Sequence, residues 1–274
     1  MSGRYRCRCQ NCGVPLDGLH GERDRAESFG NAAERYDRYR PEYPPALMNE
    51  LLSGGPSRAL DVGCWTGKVA VLLMARGLRV LGVEPDIRMA AVARRHHVPI
   101  EVASFESWEP AGRTYDLVTA GHSWHWVDPV IGLPKAASIL VPGGTVALFW
   151  NYHVLDEPLL LAVEDAYRAH APELTVVGRD PTTSGTQDHD PFESSSDFRS
   201  LGSHTYRWPR LLDADEWTSM LATFSDHVRL GEERLRDLQL AVRAAIDQSG
   251  GVVRSQCGTY SWSARRLATD AGPQ

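Results

Sequence analysis

The sequence predicts an α/β fold in three layers, with a mainly parallel sheet. Short apolar runs alternate with helical patterns between residues 45 and 151, at the spacing that is typical of β-α-β units. A glycine-containing turn follows the first apolar run and leads into a helical pattern. A chain of 274 residues has room for one or two domains and can bury a sizeable core.

The elements of the first half follow in order. Residues 28–45 begin with a helical stretch rich in Tyr and Arg, which prolines end, and Pro45 is placed to start the next helix. The apolar runs that predict strands are RALDV, RVLGV, IEVAS, YDLVTAG and TVALFWN. Helical patterns separate them, and the one from Val130 to Leu140 leads into the turn VPGG.

After Asn151 the pattern changes. The stretches that predict helices are DEPLLLAVEDAYRAH, DADEWTSMLATF with Asp213 as its N-cap, and EERLRDLQLAVRAAIDQ. Residues 179–203 have no periodicity and predict a loop of the length that lids and linkers have. Two late strands, near 204–208 and 257–265, are expected to extend the sheet as a hairpin-like pair.

Composition disfavours several classes of protein. Thirty-five acidic against 29 basic residues give a net charge of −6, which argues against a broad nucleic-acid or anionic-membrane surface. No apolar run reaches the ~18 residues of a membrane helix, and the first residues show no apolar signal segment. We therefore expect a cytoplasmic protein with neither a nucleic-acid nor a membrane partner. A homodimer is a candidate assembly, although the sequence does not determine the oligomeric state.

Residues 1–27 are polar and Gly-rich, and we interpret them as a flexible tail. Cys7, Cys9 and Cys12, with His20 further on, have the spacing of half a zinc site. No second Cys pair follows, so we favour free thiols and expect no metal.

The residues that carry chemistry follow the first strand. The sequence LDVGCWTGK contains a strand end, a turn with Gly63 and Gly67, and the start of a helix. Such a turn directs backbone N–H groups towards a ligand at the carboxyl edge of the sheet. Glu84 ends the second strand, where its two oxygens can accept hydrogen bonds from the hydroxyls of an adenosine ribose. The pattern predicts a nucleoside-bearing cofactor, and the alternative is an ordinary turn with a surface glutamate.

The segment DVGCWTGK…VEP resembles the first two motifs of class I S-adenosylmethionine-dependent methyltransferases, whose usual form is D-x-G-x-G-x-G. The stretches FGNAAERYDRYRPEYPPAL, GHSWHWVDP, ILVPGGTVALFWN and WPRLLDADEW are similar to a small-molecule branch that includes the trans-aconitate methyltransferase-like group. This resemblance implies a Rossmann-like, seven-stranded sandwich over residues 28–270, with cap or lid elements at about 28–45 and 155–250. It also implies S-adenosyl-L-methionine as cofactor and a small-molecule acceptor that is methylated on oxygen or nitrogen.

The resemblance also implies a set of cofactor-binding positions. They are Tyr36, Arg40, Asp61, Gly63, Cys64, Trp65, Gly67, Glu84, Asp86, Ile87, Ser104, Phe105, Gly121 and His122. The group from Asp61 to Gly67 would surround the methionine part, Glu84 the ribose, and Ser104 with Phe105 the adenine. Arg40 is also a candidate partner for a carboxylate of cofactor or substrate, and the alternative for the Tyr/Arg stretch is the packing of an amphipathic helix.

Trp65 departs from the family motif, which has glycine at this position. An indole here points away from the cofactor, stacks on a ligand, or fills the pocket and abolishes binding. If the position requires a positive φ, the bulky side chain adds roughly 1–2 kcal/mol of strain. Two alternatives therefore stay open: a related enzyme with non-methylating chemistry (cyclisation or elimination), and a non-catalytic homologue with a blocked cleft.

Acceptor residues are expected after the fourth and fifth strands, because open α/β sheets bind ligands at the carboxyl ends of their strands. His125 is the first candidate for a base or a substrate hydrogen-bond donor, followed by His122 and His153. The predicted substrate-binding residues are Tyr39, Tyr43, Trp124, Trp126 and Asn151. The alternative for the His-Trp pairs is a structural role. The low Lys content and Trp65 suggest specialised metabolism, that is, natural product biosynthesis.

Overall fold

A computed structural model describes residues 19–21, 33–181 and 190–268 of the chain. The strands are β1 (Arg58–Val62), β2 (Arg79–Val83), β3 (Ile100–Glu101), β4 (Tyr115–Gly121), β5 (Leu140–Leu155), β6 (Phe198–Asp213) and β7 (Val252–Arg266). The α-helices are α1 (Ala33–Tyr39), α2 (Pro45–Leu51), α3 (Lys68–Met74), α4 (Ile87–Arg95), α5 (Pro129–Ile139), α6 (Glu157–His170), α7 (Ala214–Leu221), α8 (Ser225–Val228) and α9 (Glu232–Gln248). Single 3₁₀ turns occupy Leu19–Gly21 and Trp124–Trp126.

The strands form one seven-stranded sheet in the order β3-β2-β1-β4-β5-β7-β6. The pairs β1·β2, β1·β4, β2·β3 and β4·β5 are parallel. The chain therefore starts at the centre of the sheet, builds outwards to β3, and returns to the other side of β1. This confirms the predicted α/β class and the seven strands, and β6 and β7 are neighbours as expected of the late pair.

The backbone contacts divide the chain into two compact units. The first, here called the core unit, contains the described residues of 42–150, 190–206 and 260–268. Its strands β1, β2 and β4 carry buried apolar side chains on both faces, as parallel strands covered by helices do. One apolar cluster includes Leu60, Val118 and Leu148, and a second includes Leu73, Leu117 and Phe149.

The second, here called the helical unit, contains the described residues of 19–41, 151–181 and 207–259. Its apolar cluster joins residues of α6, α7 and α9, with Trp217 completely buried. Helix α7 starts with a capping box in which Asp213 accepts from the Glu216 N–H and the Glu216 carboxylate accepts from the Asp213 N–H. Asp213 is thus the N-cap that the sequence predicted.

Two predicted boundaries were wrong. The sequence VPGG, predicted as a turn before the strand, lies inside β5 and forms a bulge there. Tyr115 pairs with Leu140 and Leu117 pairs with Thr145, so β5 has more residues than β4 between these two pairs. The predicted loop of 179–203 ends earlier, because β6 begins at Phe198. Phe198 is buried in an apolar cluster of the core unit. This tertiary contact stabilises the beginning of β6, which the local sequence pattern does not predict.

Candidate functional site

The turn between β1 and α3 has a left-handed backbone at three positions. The φ angles are +59° at Gly63, +52° at Trp65 and +86° at Gly67. The Gly63 N–H donates to the Val83 carbonyl at 2.8 Å, which ties the turn to the end of β2. The Gly67 N–H donates to the Cys64 carbonyl at 2.8 Å, and Gly67 is the N-cap of α3. The sequence places glycine where the backbone needs it at two of the three positions.

Neighbouring side chains also require the two glycines. A Cβ atom at Gly63 would lie 2.5 Å from the Ser123 Cβ, and one at Gly67 would lie 3.0 Å from Val98 Cγ2. Ser123 itself donates from its hydroxyl to the Val62 carbonyl. The segment after β4 therefore packs directly onto the end of β1, and the sequence analysis missed Ser123 in this role.

Trp65 has the positive φ for which the sequence analysis expected strain, roughly 1–2 kcal/mol for a bulky side chain. Its side chain is buried. Its backbone N–H donates to Glu84 Oε2 at 2.9 Å, so the residue that departs from the motif binds the acid that ends β2.

Two buried carboxyl groups lie at the ends of β1 and β2. Asp61 Oδ1 accepts from the Thr119 hydroxyl at 2.9 Å, and burial raises the pKa of Asp61 to about 7. Glu84 accepts from the Trp65 N–H and, at 3.0 Å, from the Asp86 N–H, and burial likewise raises its pKa to about 7. Both groups therefore change charge close to neutral pH. Thr119, on the strand beside β1, is a second residue that the sequence analysis missed.

Asp61 Oδ2, at the end of β1, and Thr66 Oγ1, in the turn, are buried and have no hydrogen-bond partner among the described residues. Buried polar atoms in proteins almost always have a partner, so an unsatisfied pair at one turn is a feature of a site that accepts a ligand. Cys64 lies between them in the sequence and is buried. Burial, and then the charges of Asp61 and Glu84, raise the pKa of its thiol well above the usual value, so Cys64 is not a thiolate nucleophile.

Asp86 and Ile87 follow Glu84 at the start of α4. Asp86 is the N-cap, with Oδ1 accepting from the Arg88 N–H at 2.8 Å and Oδ2 from the Arg88 guanidinium at 2.8 Å. Burial opposes the ionised form of Asp86, but the hydrogen bonds and charge of Arg88 outweigh it and lower the pKa. Ile87 is 65% exposed, although it is a large apolar residue beside a buried acid. It is a free apolar surface next to Glu84.

The predicted adenine contacts have different surroundings. Ser104 is half-buried, and its hydroxyl bonds to the Ser107 hydroxyl at 2.9 Å. Phe105 is buried in the core unit, with its ring centroid 6.1 Å from that of Trp124 and 6.4 Å from that of Trp108. Trp124 shares this cluster, which gives Phe105 and Trp124 a packing role.

Gly121, at the end of β4, permits a close approach of Tyr43. A Cβ at Gly121 would lie 2.6 Å from the Tyr43 hydroxyl and 2.9 Å from Phe149 Cε2. The rings of Tyr43 and Phe149 meet edge to face at 4.8 Å. His122 follows with a φ of +55°, and its N–H donates to the Phe149 carbonyl at 2.8 Å. The structure thus brings together Tyr43, Gly121 and His122 of the predicted set.

His125 is held by a residue that the sequence analysis did not single out. The Trp150 indole N–H donates to His125 Nδ1 at 3.1 Å, and the Trp126 ring lies 4.9 Å from the imidazole. An indole nitrogen is a donor only, so Nδ1 is an acceptor and the neutral imidazole carries its proton on Nε2. This tautomer makes His125 a hydrogen-bond donor at Nε2. Trp150 lies next to Asn151 in the predicted fifth strand, but nothing in the sequence pairs it with His125.

In the helical unit, Arg40 is fixed by the turn after α7. Its Nε donates to the Thr223 hydroxyl at 2.8 Å and its Nη2 to the Thr223 carbonyl at 3.0 Å. The guanidinium lies 3.8 Å from the Phe224 ring centroid and 5.2 Å from that of Tyr36, which is buried. Tyr39 is half-buried against the apolar cluster. These contacts match the helix-packing alternative for the Tyr/Arg stretch.

Asn151 and His153 are also buried in the helical unit. Asn151 Oδ1 accepts from the Thr259 hydroxyl at 2.6 Å. His153 Nδ1 lies 3.0 Å from the Ser255 hydroxyl, and its ring meets the Trp217 ring edge to face at 5.3 Å. Burial, followed by the charge of Arg210, lowers the pKa of His153 to about 3, so its imidazole is neutral near pH 7.

No group of three metal-binding side chains occurs in the described part of the chain. Cys7, Cys9 and Cys12 lie outside the described residues, as does nearly all of the predicted tail of 1–27, so the half zinc site stays an open alternative. Within residues 19–21, 33–181 and 190–268, no helix is long and apolar enough to cross a bilayer.

Comparison with known proteins identifies the class. A sequence model of a methyltransferase-domain family matches residues 36–224, more than half of the chain. The chain belongs to this family. Membership confirms the resemblance to class I S-adenosylmethionine-dependent methyltransferases, and S-adenosyl-L-methionine is the cofactor of this class.

The chain spans about half the length of the first curated relatives that it matches. An uncharacterised methyltransferase from Mycobacterium tuberculosis is 40% identical over 132 residues, which are 47% of this chain and 54% of the relative. A trans-aconitate 2-methyltransferase from Streptomyces coelicolor is 33% identical over 108 residues, 35% of each chain. Among solved structures, one from Anaeromyxobacter dehalogenans, assigned as a type II methyltransferase, has a TM-score of 0.63 at 24% identity. It covers 84% of this chain and all of its own, which confirms the fold.

The residues of the β1–α3 turn fit the cofactor of this class. The unsatisfied atoms Asp61 Oδ2 and Thr66 Oγ1, the left-handed turn and the exposed Ile87 beside Glu84 belong to one edge of the sheet. Each Glu84 oxygen accepts one backbone N–H and has a second lone pair that a hydroxyl donor could use. Trp65 is the one residue of the turn whose size works against a ligand.

Proposed function

We propose that the protein is an S-adenosylmethionine-dependent methyltransferase that methylates oxygen or nitrogen of a small molecule. The observation that carries this proposal is the turn from Gly63 to Gly67, with two unsatisfied buried polar atoms and the buried Glu84 carboxylate beside it. Family membership supports it independently.

When bound, S-adenosylmethionine supplies an electrophilic methyl group on a sulfonium centre. The chain's own residues then align the two reactants and exclude water, because the leaving group is already good. Asp61, Gly63 and Thr66 hold the methionine end, and Glu84 holds the ribose. His125 donates a hydrogen bond from Nε2 to the acceptor, because Nδ1 is occupied by Trp150. The cap or lid elements are proposed at about residues 28–45 and 155–250, as the family resemblance implies.

The finer assignments rest on the sequence. A net charge of −6 supports a small-molecule acceptor over a nucleic acid. We propose a cytoplasmic location and a role in specialised metabolism on the grounds given above, and a homodimer as the assembly to be tested. The trans-aconitate methyltransferases among the relatives support a small organic acceptor.

Calorimetric titration with S-adenosylmethionine and S-adenosylhomocysteine tests the proposal on wild type, Trp65→Gly and Glu84→Gln. We expect the wild type to bind both ligands and Trp65→Gly to bind at least as tightly. Glu84→Gln should bind about 10-fold or more weakly, because an NH₂ donor replaces one of the two acceptor oxygens. Binding by Trp65→Gly alone would instead favour the non-catalytic homologue with a blocked cleft.

A second measurement separates the enzymatic alternatives. With a panel of small acceptors, methyl transfer releases S-adenosylhomocysteine in step with the methylated product. Consumption of S-adenosylmethionine without that product would favour cyclisation or elimination, and the proposed reaction would be withdrawn.

A further inference from the structure

Two segments of the core unit carry the predicted adenine and acceptor contacts. The first, here called the adenine loop, is residues 104–108, and the second, here called the acceptor segment, is residues 122–128. Their assignment to a cofactor and an acceptor rests on the function proposed above. The rings of Phe105 and Trp124 bring the two segments into contact, with their centroids 6.1 Å apart. The remaining contacts between the segments run through helix α5.

Lys135, on α5, holds the backbone of the adenine loop. Its amine donates to the Glu106 carbonyl at 3.0 Å and also to the Trp108 carbonyl. The same nitrogen lies 5.5 Å from the Phe105 ring centroid and 5.8 Å from that of Trp108. Lys135 is half-buried, so the loss of its amine would leave two carbonyl groups short of a donor in a partly dry environment.

Glu106 binds the end of the acceptor segment. Its Oε1 accepts from the Asp128 N–H at 2.9 Å. Asp128 is in turn the N-cap of α5, with Oδ1 accepting from the Val130 N–H at 2.9 Å. His125 precedes Asp128 by three residues, and its Nδ1 accepts from the Trp150 indole. A side chain of the adenine loop therefore fixes the backbone just after His125.

Helix α5 also packs against the acceptor segment, one turn before Lys135. A Cβ at Gly132 would lie 2.5 Å from Val127 Cγ1 and 3.3 Å from Trp124 Cη2. Residues three apart lie side by side on one helix face. The same face of α5 therefore contacts the acceptor segment at Gly132 and the adenine loop at Lys135. Because packing this close leaves little free space, neither segment can shift without moving α5 or the other segment.

We propose that Lys135 and Glu106 are positioning residues that couple the adenine loop to the acceptor segment, so that a nucleoside bound at the loop fixes the position of His125. The two side chains complete a closed set of contacts. Lys135 joins α5 to the loop, Glu106 joins the loop to Asp128, and Asp128 starts α5. Removing either side chain opens this set and separates the movements of the two segments.

Hydrogen exchange and ¹⁵N-histidine spectra first test the coupling without ligand. Lys135→Met keeps most of the side-chain length but removes the donor, and Glu106→Leu removes the acceptor. Each should accelerate amide exchange about 10-fold in both the adenine loop and the acceptor segment, and leave α3 unchanged. Each should also change the His125 Nδ1 signal, because the hydrogen bond to that atom depends on where the acceptor segment lies.

Two further variants serve as controls, and circular dichroism first shows which variants are folded. Glu106→Gln keeps an oxygen that can accept from the Asp128 N–H, so it should behave as wild type does. Glu109→Leu replaces an exposed carboxylate three residues further on and should also behave as wild type does. If Lys135→Met does not fold, the comparison of Glu106→Leu with Glu106→Gln still decides the question.

Adenosine then tests the coupling with ligand, because it has the base and the ribose but neither a methyl group to transfer nor an amino-acid part. In wild type we expect adenosine to slow exchange in both segments and to shift the His125 signals. Lys135→Met and Glu106→Leu should bind it about 5-fold more weakly, with slower exchange in the adenine loop alone.

Three results would overturn the inference: faster exchange in the adenine loop alone or evenly across the core unit, a full His125 shift by adenosine in the uncoupled variants, or equal defects in Glu106→Gln and Glu106→Leu. Failure of the proposed function gives a different result. If wild type binds neither adenosine nor S-adenosylmethionine, while the ligand-free exchange and His125 signals change as expected, the methyltransferase proposal fails and the coupling of the two segments stands.

Discussion

At the scale of single residues, Gly63 and Gly143 share a left-handed backbone but differ in their neighbours. A Cβ at Gly63 would meet the Ser123 Cβ at 2.5 Å, whereas one at Gly143 would meet nothing within 4 Å. Gly143→Ala should therefore cost only the conformational penalty, roughly 1–2 kcal/mol of unfolding free energy. Gly63→Ala should cost roughly 2–5 kcal/mol, because overpacking adds to it. Urea unfolding of both variants measures the difference, and equal losses would contradict the packing of Ser123 onto β1.

The tautomer of His125 gives a second prediction at this scale. Trp150→Phe keeps an aromatic ring but removes the donor to His125 Nδ1. In the wild type, ¹⁵N spectra of the imidazole should show one neutral tautomer with the proton on Nε2. In the variant we expect a mixture of both neutral tautomers. Trp262→Phe, a half-buried tryptophan elsewhere in the core unit, is the control and should leave the His125 signals unchanged.

Site residues could be predicted from the sequence where their place in the local backbone, at a strand end or in a turn, determines their role. Gly63, Gly67 and Glu84 could be located because a strand end, a turn and a second strand end have fixed spacing. Ser123 and Trp150 could not, because their roles depend on contacts between segments 60 and 25 residues apart, Ser123 with Gly63 and Trp150 with His125. Thr119 offered a usable signal: it is a polar residue in a buried strand, beside the strand that carries Asp61.

At the scale of elements, β1, β2 and β4 have the predicted bounds, because each is an apolar run that a turn ends on both sides. The strand predicted from IEVAS is reduced to Ile100–Glu101, where only two residues pair with β2. By contrast, β6 is longer than the strand predicted near 204–208. Its alternately exposed residues run from Phe198 to Asp213, and its extent depends on the neighbouring strand more than on its own apolar content.

The attachment of α1 gives the prediction for this scale. Arg40, directly after α1, makes two hydrogen bonds to Thr223 and lies over the Phe224 ring. Arg40→Gln should lower the unfolding free energy by about 1–3 kcal/mol, because charged hydrogen bonds are lost. Hydrogen exchange in residues 33–39 should accelerate more than in α9, since the loss frees α1 locally. Arg38→Gln, an exposed matched control, should leave both quantities nearly unchanged. A uniform acceleration across the helical unit would contradict a local attachment.

At the scale of the whole molecule, four buried ionisable groups make opposing contributions to pH-dependent stability. Burial raises the pKa values of Asp61 and Glu84 to about 7, so the folded chain holds their protons more tightly than the unfolded chain. Their stabilisation is complete below about pH 4 and is lost as the pH rises through 7. Burial lowers the pKa values of His153 and His227 to about 3, so their stabilisation is complete above about pH 6.5 and is lost as the pH falls towards 3. Between these limits the two pairs offset one another.

Removing one member of each pair separates the contributions. Relative to wild type, Asp61→Asn should gain unfolding free energy as the pH rises from 4.5 to 6.5, because a group whose stabilisation falls with pH has been removed. The gain should be up to about 1.4 kcal/mol per pH unit. Relative to wild type, His227→Gln should lose unfolding free energy as the pH rises over the same range, because a group whose stabilisation rises with pH has been removed. Urea unfolding at five pH values measures both differences, with the uncharged and exposed Val130→Ala as a control that should run parallel to wild type. Parallel curves for Asp61→Asn and wild type would show that Asp61 is ionised throughout this range, and the turn after β1 would then hold a permanent negative charge beside Cys64.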